Sequence, residues 1–283
     1  MNVAAELATH EITAEDVEYR RVDGQPLLAK IYRPRGNGTF PAVVGVHGGA
    51  WTSGDRSNNQ AIDQALAASG VVVAALDFRI APQSPYPASV TDVNFGIRWL
   101  KAHAAELGSR AEWVGVVASS SGAQQMLLAT MRPHDPRYAE AAPELAHFDA
   151  TVAYAVACWP IADPLARYRM AQERGNARLV QAHKDFFVTE AAMSEGNPQL
   201  ALERGEKVSL PSLLVLQGTK DDNVTPDMAE KFTAAYRAAG GRAVLETFAG
   251  EPHTFVTRDP TSAASLRAIA LIQRFVGHRG AAA

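Results

Sequence analysis

Short runs rich in Val, Ile, Leu and Ala recur along the chain, and most are separated by longer segments whose apolar residues return at helical spacing. This alternation restricts the fold to strands interleaved with helices. Strands are predicted near Val17–Val22, Leu27–Arg33, Ala42–His47, Val71–Leu76, Trp113–Ala118, Thr151–Cys158, Ser212–Gln217 and Ala243–Phe248. The first two, joined by Asp23-Gly24, read as a hairpin. The later runs are more continuously apolar, as strands covered by helices on both faces are. Helices are predicted over Asn58–Ser69, Ser89–Leu107, Gly122–Met131, Pro226–Ala239 and Ser262–Val276. The pattern describes one doubly wound α/β domain over residues 1–283, with a mostly parallel eight-stranded sheet. One stretch breaks the alternation. Trp159 to Pro211, roughly fifty residues, is too long for a simple connection and has helical spacing at Leu165–Gln172 and Leu179–Phe187. It reads as a helical cap inserted at about 159–211, and only Gly280–Ala283 reads as a frayed tail.

Composition narrows the partners. The 27 basic and 30 acidic residues leave a formal charge of −3 with no basic run. Polyphosphate binding needs clustered Lys and Arg, so nucleic acid and anionic membrane surfaces are excluded as electrostatic partners. Small neutral or weakly charged molecules remain, and no feature specifies an oligomer. The single cysteine, Cys158, excludes an internal disulfide and a multi-cysteine metal site, and its place in the run Val152–Cys158 makes it a buried thiol. Met1–Val17 carries Glu6, Glu11, Glu15 and Asp16 and lacks the apolar core of a secretory signal. No stretch approaches the roughly 20 apolar residues that cross a bilayer, so a cytoplasmic location is expected by default.

The chemistry concentrates after strands. Trp113–Val117 runs into Ala118-Ser119-Ser120-Ser121-Gly122-Ala123 and then into a helical segment. A strand, a tight turn of small residues and a helix form the setting of a nucleophile elbow, where small residues flank a strained serine at two before and two after. Centring on Ser120 places Ala118 and Gly122 there, whereas Ser119 and Ser121 have no glycine two residues on. Ser120 is therefore the candidate nucleophile, with Ala118 standing where the motif usually has glycine. A serine hydroxyl needs a base, and the base an orienter. Asp221 follows the strand Ser212–Gln217, 101 residues after Ser120, and His253 follows the strand Ala243–Phe248, 32 residues later. Asp221 is preferred to Asp222 as the first carboxylate past the Gly218-Thr219 turn. His10, His103, His134, His147, His183 and His278 lie in polar helical or loop sequence and read as surface or structural. The order Ser, Asp, His is that of the α/β-hydrolases.

A bend of small residues, His47-Gly48-Gly49-Ala50-Trp51, follows the strand at Ala42 and precedes Ser120 by 73 residues counted from His47. Backbone N–H groups of Gly49 and Ala50, with that of Ser121, are candidates for an oxyanion hole whose bend Gly48 shapes. Together with Gly54-Asp55, Asp77-Phe78-Arg79-Ile80-Ala81-Pro82, Pro85-Tyr86-Pro87-Ala88, Asp92, Gly218-Thr219-Lys220-Asp221 and Pro252-His253-Thr254-Phe255, these residues resemble the hormone-sensitive-lipase-like esterase branch of the α/β-hydrolases. The resemblance spans about residues 40 to 256. It implies serine-dependent hydrolysis of carboxylic esters by Ser120, Asp221 and His253, without metal or cofactor. Ala50 and Ala118 depart from the family pattern. Only 46 residues precede His47, so the chain is also similar to compact arylformamidases and small acyl esterases, which favour short acyl or aromatic substrates. The same triad would serve a formamide, amide or lactone. A non-catalytic receptor on this fold is the remote alternative, disfavoured because all three triad residues are present. At the carboxyl ends of the strands Trp51, Trp159 and Pro160 are expected to line the pocket, with Phe186 and Phe187 either closing an aromatic lid over it or packing within their helix, so a small, largely apolar ester is expected. Arg79 and Asp55 read as loop braces, and Arg167, Arg169 and Arg178 as a solvated helix face, with reception of an acidic substrate as the alternative.

Overall fold

Alternation along the central strands sorts their side chains into two cores, one on each face of a single sheet. The computed structural model describes residues 9–140 and 142–281. Its strands are β1 (Ile12–Val22), β2 (Gln25–Pro34), β3 (Ala42–Val46), β4 (Val72–Leu76), β5 (Val114–Ser119), β6 (Tyr154–Cys158), β7 (Ser212–Gly218) and β8 (Ala243–Phe248). They lie in the order β1-β2-β4-β3-β5-β6-β7-β8. The pairs β1·β2 and β2·β4 are antiparallel and the rest are parallel. The helices are α1 (Gln60–Ala68), α2 (Ala88–Ala102), α3 (Ser120–Met131), α4 (Pro164–Glu173), α5 (Ala177–Phe187), α6 (Glu190–Glu195), α7 (Pro198–Glu203), α8 (Pro226–Ala238), α9 (Phe255–Arg258) and α10 (Ala263–Ala281).

On one face Val44, Val116, Ala155 and Val215 meet α2, α3 and α8 through Val93, Ile97, Met126 and Phe232. On the other Val43, Val117, Val156 and Leu214 meet α1, α9 and α10 through Ile62, Leu66, Phe255 and Ile272. Because both faces are covered, β3 to β7 are buried along their whole length. Cys158 is in the second core, where burial pushes its thiol up to about 12 and keeps it protonated.

Several element ends differ from the sequence reading. β1 starts at Ile12 rather than Val17, because an edge strand pairs through its backbone, Ile12 opposite Pro34, even though the side chains of Thr13 to Asp16 are exposed. α2 ends at Ala102, short of Leu107, and residues 103–108 continue as turns that end at Gly108, φ +78°. β6 starts at Tyr154 rather than Thr151. Of the tail expected to fray, Gly280 and Ala281 complete α10, whereas Ala282 and Ala283, like residues 1–8, lie outside the described residues.

Between β6 and β7 run the four short helices α4 to α7. Helices this short are marginal alone, and each opens on a side-chain cap: Asp163, Asn176, Thr189 and Asn197 accept from the backbone N–H three residues on. Asp163 Oδ1 also accepts from Asn197 Nδ2 at 2.7 Å, tying the first of these helices to the last. Tyr168, Phe186, Phe187 and Met193 gather with Trp51, Ile161 and Val224 into a third apolar cluster, between these helices and the loops after β3, β6 and β7.

Candidate active site

β5 lies between β3 and β6, so its carboxyl end is at the centre of the sheet. There the chain passes from Ser119 directly into α3, with Ser120 at φ +52°, a left-handed conformation unusual for a residue with a side chain. Gly122 explains how the turn closes. A Cβ at this position would stand 2.1 Å from the His47 carbonyl oxygen, so only glycine lets α3 start this close to β3. Ala118, at the usual glycine position, buries its methyl in the core with Val46 and Val116. The three serines have different partners. Ser119 Oγ donates to Asn59 Oδ1 at 3.0 Å, Ser121 Oγ accepts from the Trp51 N–H at 3.2 Å, and Ser120 Oγ lies 3.0 Å from His253 Nε2.

His253 Nδ1 in turn lies 2.7 Å from Asp221 Oδ2. A carboxylate can only accept, so Nδ1 carries the proton and Nε2 presents its lone pair to the serine. Asp221 is held from three other directions: Oδ1 accepts from the N–H groups of Asn223 at 2.9 Å and Val224 at 2.8 Å, and Oδ2 from Gln217 Nε2 at 3.1 Å. Asp222 is exposed. The loops bearing acid and base are joined, since the Lys220 N–H donates to the Glu251 carbonyl at 2.9 Å and a Cβ on Gly218 would meet that carbonyl oxygen at 2.3 Å.

The bend after β3 passes beside the serine. Gly49 has φ +119° and a Cβ there would fall 1.9 Å from the Ser53 carbonyl oxygen, while the N–H groups of Thr52 and Ser53 both donate to the Gly49 carbonyl at 3.1 Å. Ala50 is also left-handed, at φ +51°. The N–H groups of Gly49 and Ala50 have no hydrogen-bond partner among the described residues. Both residues line a cavity of about 620 Å³ that also reaches Gly48, Ser120 and His253. Ser121 is the second residue of α3, where a backbone N–H has no acceptor within the helix. Among the described residues no group of three or more His, Cys, Asp or Glu could hold a metal ion.

The cavity wall differs from expectation. Trp159 lines it, but Trp51, Pro160, Phe186 and Phe187 do not. The backbone of Trp51 at φ +66° sends its indole toward α5, where Nε1 donates to Gln124 Oε1 at 2.9 Å and the ring stacks on Phe186 with centroids 5.1 Å apart. Phe186 and Phe187 are buried in that same cluster, so they are packing rather than an aromatic lid. The wall is instead polar, with Arg167, Arg178, Gln181, Asp185, Asn223 and Arg258 beside Ala182. Arg167, read from sequence as part of a solvated face, is 1% exposed. Its Nε donates to the Asn223 carbonyl at 3.0 Å, Nη2 to Asn223 Oδ1, and Nη1 to His183 Nε2 at 3.4 Å. Burial lowers the guanidinium to about 9, leaving it charged at neutral pH. His183 is held neutral, at about 3, by burial and by the Arg167 charge, and its Nδ1–H donates to the Leu179 carbonyl at 2.7 Å.

Three residues that position this site were not singled out from sequence: Gln217 on the acid, Asn223 on Arg167, and Asn59 beneath the serine turn. Gln217 left a signal, being a polar residue that follows the apolar run Leu213–Leu216 of β7. Arg79 and Asp55 do brace loops: Arg79 grips Asp92 through Nε and Nη2, each at 2.9 Å, and Asp55 accepts from the Ser57 N–H at 2.7 Å.

A sequence model of the BD-FAE family matches residues 29–236. Among curated proteins the chain is 25% identical to the probable carboxylic ester hydrolase LipM of Mycobacterium tuberculosis, over 74% of this chain and 47% of LipM. It is 29% identical to the esterase LipC of the same organism, over 78% of this chain and 56% of LipC. The isoprenylcysteine alpha-carbonyl methylesterase ICME of Arabidopsis thaliana is 26% identical, over 79% of this chain and 53% of that protein. The chain thus spans about half the length of these relatives. Among solved structures it superimposes with a TM-score of 0.75 on a hyperthermophilic esterase from Pyrobaculum calidifontis, at 22% identity over 95% of this chain and 86% of that one. The TM-score is also 0.75 for Thermogutta terrifontis esterase 2 phosphorylated by paraoxon, at 22% identity over 99% and 98% of the two chains. At these identities the structural likeness speaks to the fold.

Proposed function

The chain belongs to the BD-FAE family and has the α/β-hydrolase fold, and from that premise we propose that it is a serine carboxylesterase. One observation carries the reading: an unbroken hydrogen-bonded chain from Ser120 through His253 to Asp221, opening into the cavity where the N–H groups of Gly49 and Ala50 are free. His253 Nε2 takes the Ser120 proton as Oγ forms its bond to the ester carbonyl carbon. The carbonyl oxygen becomes an oxyanion facing the N–H groups of Gly49, Ala50 and Ser121, and Asp221 stabilises the imidazolium. The C–O bond to the alcohol breaks as Nε2–H returns the proton to it. Water then attacks the acyl-serine with His253 again as base, releasing the carboxylic acid and restoring Ser120.

Residues about 159–211 act in this reading as a cap. Its helices α4 and α5 set Arg167, Arg178, Gln181 and Asp185 into the wall of the cavity. A volume of about 620 Å³ suits a short-chain ester. The fold neighbour phosphorylated by paraoxon supports the choice of an organophosphorus probe. Ser120→Ala should lower kcat on p-nitrophenyl acetate at least about a thousandfold, and a fluorophosphonate should label Ser120 in a peptide map. Label on another residue, or a variant that keeps its rate, refutes the assignment.

A further inference from the structure

A buried cation ordinarily has an anionic partner, because removing a guanidinium from water costs several kcal/mol. Arg167 has none: its three hydrogen-bond partners, the Asn223 carbonyl, Asn223 Oδ1 and His183 Nε2, are all neutral. Of the two carboxylates nearby, Asp221 is engaged by His253, Gln217 and two backbone N–H groups, and Asp185 accepts from Gln181 Nε2 at 2.7 Å. A guanidinium has five N–H donors. With Nε and one hydrogen on each terminal nitrogen used, Arg167 keeps one N–H on Nη1 and one on Nη2, donors to which a carboxylate can bind. Arg178 and Arg258 line the same cavity, are exposed and form no ion pair among the described residues. Three arginines therefore face one carboxylate around the cavity, in a chain whose formal charge is −3.

We propose that the ester hydrolysed here carries a free carboxylate, which Arg167 receives with Arg178 beside it, in the cavity that also holds Ser120. This rests on the serine esterase reading and names its substrate class: a short monoester of a dicarboxylic acid, or an acyl ester of a hydroxy acid. Which side of the scissile bond bears the charge is for the assay. Monomethyl glutarate is compared with dimethyl glutarate for the acyl side, and 4-acetoxybenzoate with phenyl acetate for the alcohol side. On one side the anionic ester should exceed its neutral counterpart at least about tenfold in kcat/KM. Arg167→Gln and Arg178→Ala should each reduce that ratio several-fold. Arg178 is exposed, so its substitution carries the test if Arg167→Gln does not fold. Binding is read separately from turnover by calorimetric titration of Ser120→Ala with the same esters, where the anionic one should bind more tightly and lose that advantage in the Arg178→Ala background. Hydrolysis of neutral and anionic esters at equal kcat/KM on both sides overturns the carboxylate site and leaves the esterase reading standing. Absence of turnover together with selective, arginine-dependent binding of the anionic esters refutes the esterase reading and leaves the site. Equal affinity of Ser120→Ala for charged and neutral esters overturns the site by itself.

Discussion

Asp221→Asn is the most exacting test of the acid's place, because the change is nearly isosteric and the surroundings decide which way the new amide points. In the wild type Oδ1 faces two backbone donors, Asn223 N at 2.9 Å and Val224 N at 2.8 Å, and Oδ2 faces His253 Nδ1 at 2.7 Å and Gln217 Nε2 at 3.1 Å. An amide nitrogen in the Oδ1 position would set donor against donor at two backbone groups that cannot rotate. In the Oδ2 position it meets an imidazole, which can change tautomer, and a glutamine side chain. The second placement wins and makes the amide a donor to Nδ1, so the proton moves to Nε2, the atom that must accept from Ser120. Two effects follow. Lost or inverted hydrogen bonds in a buried setting cost about 1–3 kcal/mol each, so the folded state should weaken by about 2–4 kcal/mol. The wrong tautomer should lower kcat by about ten thousandfold, equivalent to about 5 kcal/mol of barrier, as the corresponding change does in a serine protease triad. The assay is steady-state release of p-nitrophenol, with urea unfolding on the same preparation. A variant within about tenfold of wild-type kcat would refute the argument, because His253 would then be oriented by something other than this carboxylate.

Gly122→Ala forces a methyl to within 2.1 Å of the His47 carbonyl oxygen, so the elbow and the bend after β3 must separate; a loss of about 3 kcal/mol in urea unfolding and a fall in kcat of at least about tenfold are expected. His183 is pressed down to about 3 in the folded protein from an ordinary 6.5, so between those values the unfolded chain binds more protons and stability rises with pH. That contribution is whole above pH 6.5 and shrinks by about 2 kcal/mol by pH 5; His183→Gln should unfold with a correspondingly smaller loss between pH 7 and pH 5. Asp92 is wholly buried between Arg20, 2.7 Å from its Oδ1, and Arg79, so Asp92→Ala should cost about 3–5 kcal/mol by leaving two guanidinium groups without their shared carboxylate.

What could be read from sequence and what could not divide along a physical line. β3 to β7 are covered on both faces, so every residue reports burial and the strands stand out as apolar runs. The start of β1 left no such trace: Thr13, Ala14, Glu15 and Asp16 are exposed, and only the backbone ladder to β2 makes them strand. Ser120, Asp221 and His253 could be expected near one another because each lies within five residues of a strand's carboxyl end, and those ends lie along one edge of the sheet whatever the intervening helices do. The cavity wall follows no such rule. α4 carries Arg167 in a sequence with weak apolar periodicity, and nothing local shows that this arginine turns inward to the Asn223 carbonyl while its neighbour Arg169 is exposed. Trp51 misled in the opposite sense, since an aromatic residue after a strand suggests a wall until its left-handed backbone is known.

That misplacement has a mechanical consequence. The Trp51 N–H donates to Ser121 Oγ in the first turn of α3, its indole donates to Gln124 one turn further on, and its ring stacks on Phe186 of α5. One residue therefore joins the bend bearing Gly49 and Ala50, the helix that follows Ser120, and α5. Gln124 extends the connection, donating from Nε2 to the Gly196 carbonyl at the end of α6. An oxyanion site works by holding its donors in place before charge develops, so that little reorganisation accompanies the reaction. A bend with three successive positive-φ residues, Gly49, Ala50 and Trp51, needs support from outside itself. Its contacts with α3 and α5 supply that support, and α5 also carries Arg178 into the cavity wall. Substitutions that loosen the packing of Phe186 should therefore reach the rate of the chemical step as well as substrate affinity, although Phe186 does not line the cavity.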